Sequence, residues 1–237
     1  MKKMIVLNHK MSLTKEETQE YILNIKERIP SDKEVIICPS NIFLPYYEGK
    51  YDFKLGVQNM CYGKTGSVTG EVSGYQLKSF GVEYAIIGHS ERVIYFKEDK
   101  ELINEKIKAA LSYNIKPIVC VGENKEEKAL KKTGVVLTNQ IKKYFKDIEV
   151  TNDITIAYEP IWAIGGTKSA SIKDIKETIL MIKELVSKLY KIDIRVLYGG
   201  SVNADNIDDI ISLDCVDGVL IGAKSSDYKN MIEVFKH

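Results

Sequence analysis

The sequence lacks an excess of either charge: 34 Lys and Arg stand against 33 Asp and Glu, a formal net charge of +1. No global field is available to gather nucleic acid or an acidic membrane surface, so a small molecule is the expected partner. Cysteine is sparse. Cys38, Cys61, Cys120 and Cys215 are scattered without a CxxC spacing. A chain of this length needs no disulfide staples, so reduced thiols are expected and a zinc site is not. Long apolar runs are missing too. The segment MKKMIVLNHK carries a basic pair and then an apolar stretch too short for a signal-peptide core or a membrane span, which points to a cytoplasmic protein. No low-complexity tract, no linker rich in Gly, Pro or Ser and no GxGxxG or Walker pattern occurs. Disorder and a nucleotide site are therefore not expected, and residues 1–237 read as a single domain.

What is present is a 44% hydrophobic fraction arranged in short Ile- and Val-rich runs. They are MIVL from Met4, EVIIC from Glu34, KLGV from Lys54, EYAII from Glu83, PIVCV from Pro117, ITIAY from Ile154, IRVLY from Ile194 and VDGVLI from Val216. Continuous apolar runs suit parallel strands covered on both faces, and helical periodicity fills the intervals, as in 15–28, 100–113 and 172–189. Roughly eight strand-helix units fit a (β/α)8 barrel of the α/β class, whereas an open doubly wound sheet usually stops at about five or six strands. Polar residues gather just after the runs: Asn8 and Lys10, Gln58 and Asn59, His89 and Glu91, Glu123, Glu159, Ser201 and Gly222. In a barrel those positions form the active face.

Five segments carry candidate chemistry. AYEPIWAIGGTKSA, 157–170, sets Glu159 at a strand end before Pro160 and a glycine-containing loop. A carboxylate whose pKa is raised by burial under a closing loop can abstract a proton next to a carbonyl, although a surface Glu beside a turn gives the same local pattern. IIGHSERVIYF, 86–96, puts His89 after the fourth strand with Ser90 opening a helix. A helix N-terminus disfavours imidazolium, and a neutral His there donates to a substrate carbonyl; a structural His is the plainer alternative. In LNHKM, 7–11, strand alternation points Asn8 and Lys10 the same way, and a lysine there can neutralise phosphate and enediolate charge, although a strand-end Lys is more often merely solvated. YGGSV, 198–202, and LIGAKSS, 220–226, end late strands on glycine, which suits either anion-binding backbone amides or ordinary tight turns.

In their order and spacing, NHK, GHSER, AYEPIWAIG and the two glycine turns resemble the triosephosphate isomerase family over residues 8–222. The resemblance implies a single (β/α)8 TIM barrel that interconverts dihydroxyacetone phosphate and D-glyceraldehyde 3-phosphate through an enediol, a step of glycolysis and gluconeogenesis, without metal or organic cofactor. Glu159 is then the base, His89 the electrophile, Lys10 and Asn8 the substrate ligands, with Glu91 beside them. Gly165, Ser201, Gly222 and Ala223 are the phosphate-binding amides. VQNMCYGKTGSVTGEVS, 57–73, is similar to the loop that enters the partner subunit of a homodimer, so that Thr69 and Glu71 lie at the interface. Several positions depart from the family's pattern. His9, which is read as structural, replaces the usual Trp. Gly166 and Thr167 stand in reversed order in the lid, which is expected to alter the closed form. Val93 replaces an arginine, and Ala223 and Lys224 stand where Gly and Ala are usual. An isomerase of another short sugar phosphate, such as a tetrose phosphate, and a non-catalytic phosphate-binding barrel are the alternatives.

Overall fold

The computed structural model describes residues 2–49, 51–63, 65–163 and 170–237. Each apolar run becomes a strand: β1 Lys3–Asn8, β2 Lys33–Cys38, β3 Lys54–Val57, β4 Tyr84–Ile87, β5 Lys116–Val121, β6 Thr155–Tyr158, β7 Arg195–Tyr198 and β8 Gly218–Ile221. All neighbouring strands pair in parallel and the sheet closes on itself in sequence order, β8 returning to β1 with Met4 opposite Gly218. The helices are α1 Lys15–Ile25, α2 Gly74–Ser79, α3 Ser90–Phe96, α4 Lys100–Ser112, α5 Lys125–Ala129, α6 Thr133–Tyr144, α7 Ile172–Tyr190, α8 Ile207–Ile211 and α9 Tyr228–Val234. The expected (β/α)8 barrel is the observed one.

Because successive strand residues face opposite ways, the apolar runs divide into two cores. Met4, Val6, Ile36, Cys38, Ile86, Ile118, Cys120, Ala157, Leu197 and Leu220 fill the barrel interior. Ile5, Leu7, Val35, Ile37, Ile87, Val119, Ile156 and Val219 face outward and pack under the helices. The longest helix shows how its half of that core is specified. In α7, Ile175, Ile179, Ile182 and Val186 recur at helical spacing and are all fully buried. Ser171 caps its start by accepting the Asp174 N–H at 3.1 Å. The cysteines are free thiols, all buried.

At the N-terminal end of the strands a polar knot joins four of them. Glu34 on β2 accepts from Lys54 Nζ at 2.9 Å, Tyr84 Oη at 2.8 Å and Arg195 Nη1 at 2.5 Å. Burial pushes this carboxyl up, but the Arg195, Lys54 and Tyr84 donors outweigh it and hold the pKa at about 2.

His9, just past β1, turns into the protein rather than toward the mouth of the barrel. It is buried, its ring edge-on to Tyr21 with centroids 4.5 Å apart and its Nδ1 3.5 Å from the Tyr47 hydroxyl. That placement agrees with a structural role, and burial lowers its pKa from 6.5 to about 3. A histidine that stays neutral in the fold but charges in the unfolded chain contributes stability present above pH 6.5 and progressively lost as the pH falls toward 3. Between pH 7 and pH 5 the loss from this one group is about 2 kcal/mol. Urea denaturation at the two pH values should show that loss in the wild type and its absence in His9→Phe. Equal losses in both proteins would remove His9 as the cause.

Candidate active site

The C-terminal ends of the strands surround a cavity of about 480 Å³ lined by Asn8, Lys10, His89, Glu91, Glu159 and the two late glycine turns. Each side chain arrives there for a local reason. Asn8 is the last residue of β1 and is buried; its Oδ1 accepts the backbone N–H of Lys10 at 3.1 Å. Lys10 does not continue the strand. It sits in the left-handed region at φ 52°, so a turn, and not strand alternation, brings Asn8 and Lys10 to the same cavity. Such a conformation costs a non-glycine residue on the order of 1 kcal/mol and must be held from outside. Here the Ser40 hydroxyl and the Gln58 amide both donate to the Lys10 carbonyl, at 2.8 and 2.7 Å. The Lys10 ammonium donates to Glu91 Oε1 at 2.5 Å.

His89 is the N-cap of α3, its Nδ1 accepting the Glu91 N–H at 3.2 Å. An accepting Nδ1 leaves the ring proton on Nε2, and Nε2 lies 3.1 Å from Glu159 Oε1. The second Glu159 oxygen accepts the Ser90 N–H at 3.1 Å. Both side chains are almost entirely buried. Burial alone would raise the Glu159 pKa, as the sequence suggests, but His89, the Ser90 amide and the Cys120 thiol outweigh it and hold the carboxyl below its usual 4.5. The expectation of a burial-raised base is thus reversed while His89 occupies it. The expectation that the helix end suppresses imidazolium is altered likewise. Burial pulls His89 down, yet the facing Glu159 carboxylate, with Glu91 beyond it, raises it above 6.5. The two groups titrate as a pair.

The wall of the cavity facing the late strands is built by Gly199, Gly200, Ser201 and Val202 after β7 and by Gly222, Ala223 and Lys224 after β8. Gly222 lies against Lys10: a Cβ placed on it would stand 3.3 Å from the Lys10 Cε. Gly165, Gly166 and Thr167 fall outside the described residues. The residues on either side are tied to the barrel, Trp162 Nε1 donating to Glu123 at 2.9 Å and the Ala170 N–H to the Tyr198 hydroxyl at 3.2 Å. Thr69 and Glu71 are exposed on the segment after β3. Glu71 borders a second cavity of about 500 Å³, which shares Asn8, Lys10, His89 and Glu91 with the first and is lined on its far side by Met11 and Phe96.

The structure adds two contributors that the residue pattern alone does not reveal. Ser90 acts through its amide, which any residue supplies, and Gly122 acts through a missing side chain. A Cβ on Gly122, at the end of β5, would fall 1.7 Å from the Glu159 carbonyl oxygen, so only glycine lets Glu159 stand where it does.

A (β/α)8 barrel whose C-terminal mouth holds a carboxylate, an imidazole and an ammonium around a small polar cavity defines the class as an acid-base enzyme of small anionic substrates. The family model described as triosephosphate isomerase matches residues 3–237. The triosephosphate isomerase of Dictyoglomus thermophilum is 42% identical over 94% of each chain. That of Finegoldia magna is 40% identical over 100% of this chain and 98% of its own, and that of Aquifex aeolicus 40% identical over 99% and 98%. The chain belongs to the triosephosphate isomerase family.

Gly122→Ala must push the Glu159 backbone away by more than 1 Å. Since a misplacement of about 1 Å can cost roughly 100-fold, kcat should fall by at least that factor in the protein that still folds. A variant with wild-type kcat would show that activity does not depend on this close approach.

Proposed function

We propose that the enzyme interconverts dihydroxyacetone phosphate and D-glyceraldehyde 3-phosphate, with Glu159 moving the proton between carbons. The observation that carries the reading is the 3.1 Å contact between His89 Nε2 and Glu159 Oε1 beside the Lys10 ammonium, at the mouth of the barrel. A carbonyl substrate entering between the two must take over the Nε2–H that Glu159 now accepts. This hydrogen bond then polarises the carbonyl, and the released carboxylate faces the adjacent C–H. Removal of His89 from Glu159 also removes the largest influence that lowers the carboxyl's pKa, so burial raises its basicity as the substrate arrives. Once Glu159 has accepted the proton its charge is gone, and with it the main support for imidazolium. His89 is then the neutral electrophile that its place at the start of α3 favours. Lys10 meets the enediolate oxygen with a full positive charge. The phosphate is held by backbone amides at Ser201, Gly222 and Ala223, with Gly165 supplying a further one, while Asn8 and Glu91 fix Lys10.

The working unit is read as a homodimer. The segment 58–72, with Thr69 and Glu71 exposed upon it, has the place of the family's subunit-crossing loop, and the second cavity, with exposed Met11 at 96% and Phe96 at 65%, gives a partner's loop an apolar seat beside Lys10. No described helix is long and apolar enough to cross a membrane, which accords with a cytoplasmic enzyme.

A coupled assay on purified protein should show turnover of triose phosphate far above that of a tetrose phosphate; the reverse order would overturn the substrate assignment, and turnover of neither would favour a binding barrel. Glu159→Asp should fold yet lose on the order of 100-fold in kcat, and Lys10→Ala should be at least as damaging. Near-normal turnover of either would sink the corresponding role. Light scattering at micromolar concentration should report about twice 26.8 kDa, and a fully active monomer would refute the crossing loop.

A further inference from the structure

The cavity's charges can be paired off. Glu91 is taken by Lys10 at 2.5 Å, and Glu159 faces His89 at 3.1 Å. Among the described residues one further cation lines the same cavity, Lys224, exposed on the 3-10 turn Ala223–Ser226 after β8. Among the described residues no carboxylate lies within ion-pair distance of it, and residues 1, 50, 64 and 164–169 include no Asp or Glu to supply one. The backbone that carries Lys224 is fixed: its carbonyl accepts from the Asn230 amide at 3.2 Å, and Ser225, fully buried, donates its N–H to the Gly222 carbonyl at 2.8 Å. Two residues upstream, Gly222 abuts the Lys10 side chain. The turn thus places an unpaired ammonium at the rim of the phosphate side of the cavity, on a flexible stem of four carbons that reaches inward or outward.

We infer that Lys224 is a specificity-determining residue that recognises the phosphate dianion of the substrate, both steering it into the cavity and adding a cation to the backbone amides that hold it. The inference rests on the isomerase reading for its substrate, but not for its chemistry, which is that of any phosphate monoester. An ammonium at an exposed rim acts on binding and on encounter, not on the reacting carbons, so its effect belongs in KM and in the salt dependence of kcat/KM. Exposed ion pairs are worth about 0.2 to 1 kcal/mol, which corresponds to a factor of up to about five.

The test compares the wild type with Lys224→Ala, Lys224→Arg and Lys224→Glu. In Lys224→Ala, KM for glyceraldehyde 3-phosphate should rise about three- to fivefold with kcat within twofold, and kcat/KM should fall less steeply with added salt. Lys224→Arg should restore the wild-type values and Lys224→Glu should weaken binding further. Glyceraldehyde without its phosphate should show no dependence on residue 224. Calorimetric titration with inorganic phosphate, read without turnover, should give the same weakening in Lys224→Ala. Unchanged KM and unchanged phosphate affinity would overturn the inference. So would failure of Lys224→Arg to rescue, or an equal loss with glyceraldehyde, because either marks a structural effect of the turn. If the wild type fails to isomerise triose phosphate while phosphate affinity still follows residue 224, the substrate assignment falls and Lys224 stands.

Discussion

The hydrogen bond between His89 and Glu159 is the constraint around which the mouth of this barrel is organised. Burying a lone carboxylate in an apolar interior costs several kcal/mol, and such a group ordinarily takes up a proton instead. Glu159 avoids this because His89 and the Ser90 amide face it from the start of α3. Those partners lie just after β4 and the carboxylate just after β6, so the contact exists only because β5 holds the two strands at a fixed spacing and is followed by a residue without a side chain, Gly122. Barrel closure, strand register and one glycine therefore set a distance on which the chemistry depends. The pair is also conditional. A ligand that separates its members returns each to an environment governed by burial, which raises the acid and lowers the imidazole.

Lys10 illustrates the cost of placing a charge beside that pair. Its left-handed backbone is unfavourable for a side chain with a Cβ, and a lysine released from it would relax into the strand and swing away from the cavity. Three contacts oppose that relaxation: Asn8 accepts its amide, and Ser40 and Gln58 donate to its carbonyl. These come from the ends of β1, β2 and β3, so the strain at one residue is spread over three strands of the sheet. Glu91 then fixes the other end of the side chain. The side chain is held at both ends before any substrate is present, which on the proposed reading is the preorganisation that electrostatic stabilisation of an enediolate demands.

Much of this was legible in the residues. The strand positions followed from continuous apolar runs, α7 from Ile175, Ile179, Ile182 and Val186, and the mouth of the barrel from the polar residues that follow most of those runs. His89 and Glu159 could be assigned roles from their segments and from the family's order. Their mutual distance could not, because it depends on the register of three strands, and the direction of both pKa shifts followed from that distance. The geometry of Lys10 escaped for a different reason: strand alternation and a left-handed turn bring Asn8 and Lys10 to the same side, and only φ tells them apart. Glu123 reads as one more polar strand-end residue, yet it is fully buried, accepting from Tyr158 and Trp162. A carboxylate's partners are invisible when they lie 35 and 39 residues away.

The two ends of the barrel solve opposite electrostatic problems. At the floor, three donors from β3, β4 and β7 converge on the Glu34 carboxylate, which has no role that requires it to let go. The lowering of its pKa follows from those donors outweighing burial. At the mouth, satisfaction on that scale would be self-defeating. On the proposed reading, a Glu159 held by three permanent donors of that kind, two of them cations, would be too weak a base, and a Lys10 bound by two carboxylates would have no field left for a substrate. The mouth instead gives Lys10 one carboxylate and Glu159 one imidazole donor, leaves Lys224 without a carboxylate at ion-pair distance among the described residues, and relies on the floor and the two apolar cores for the stability that incomplete pairing withholds.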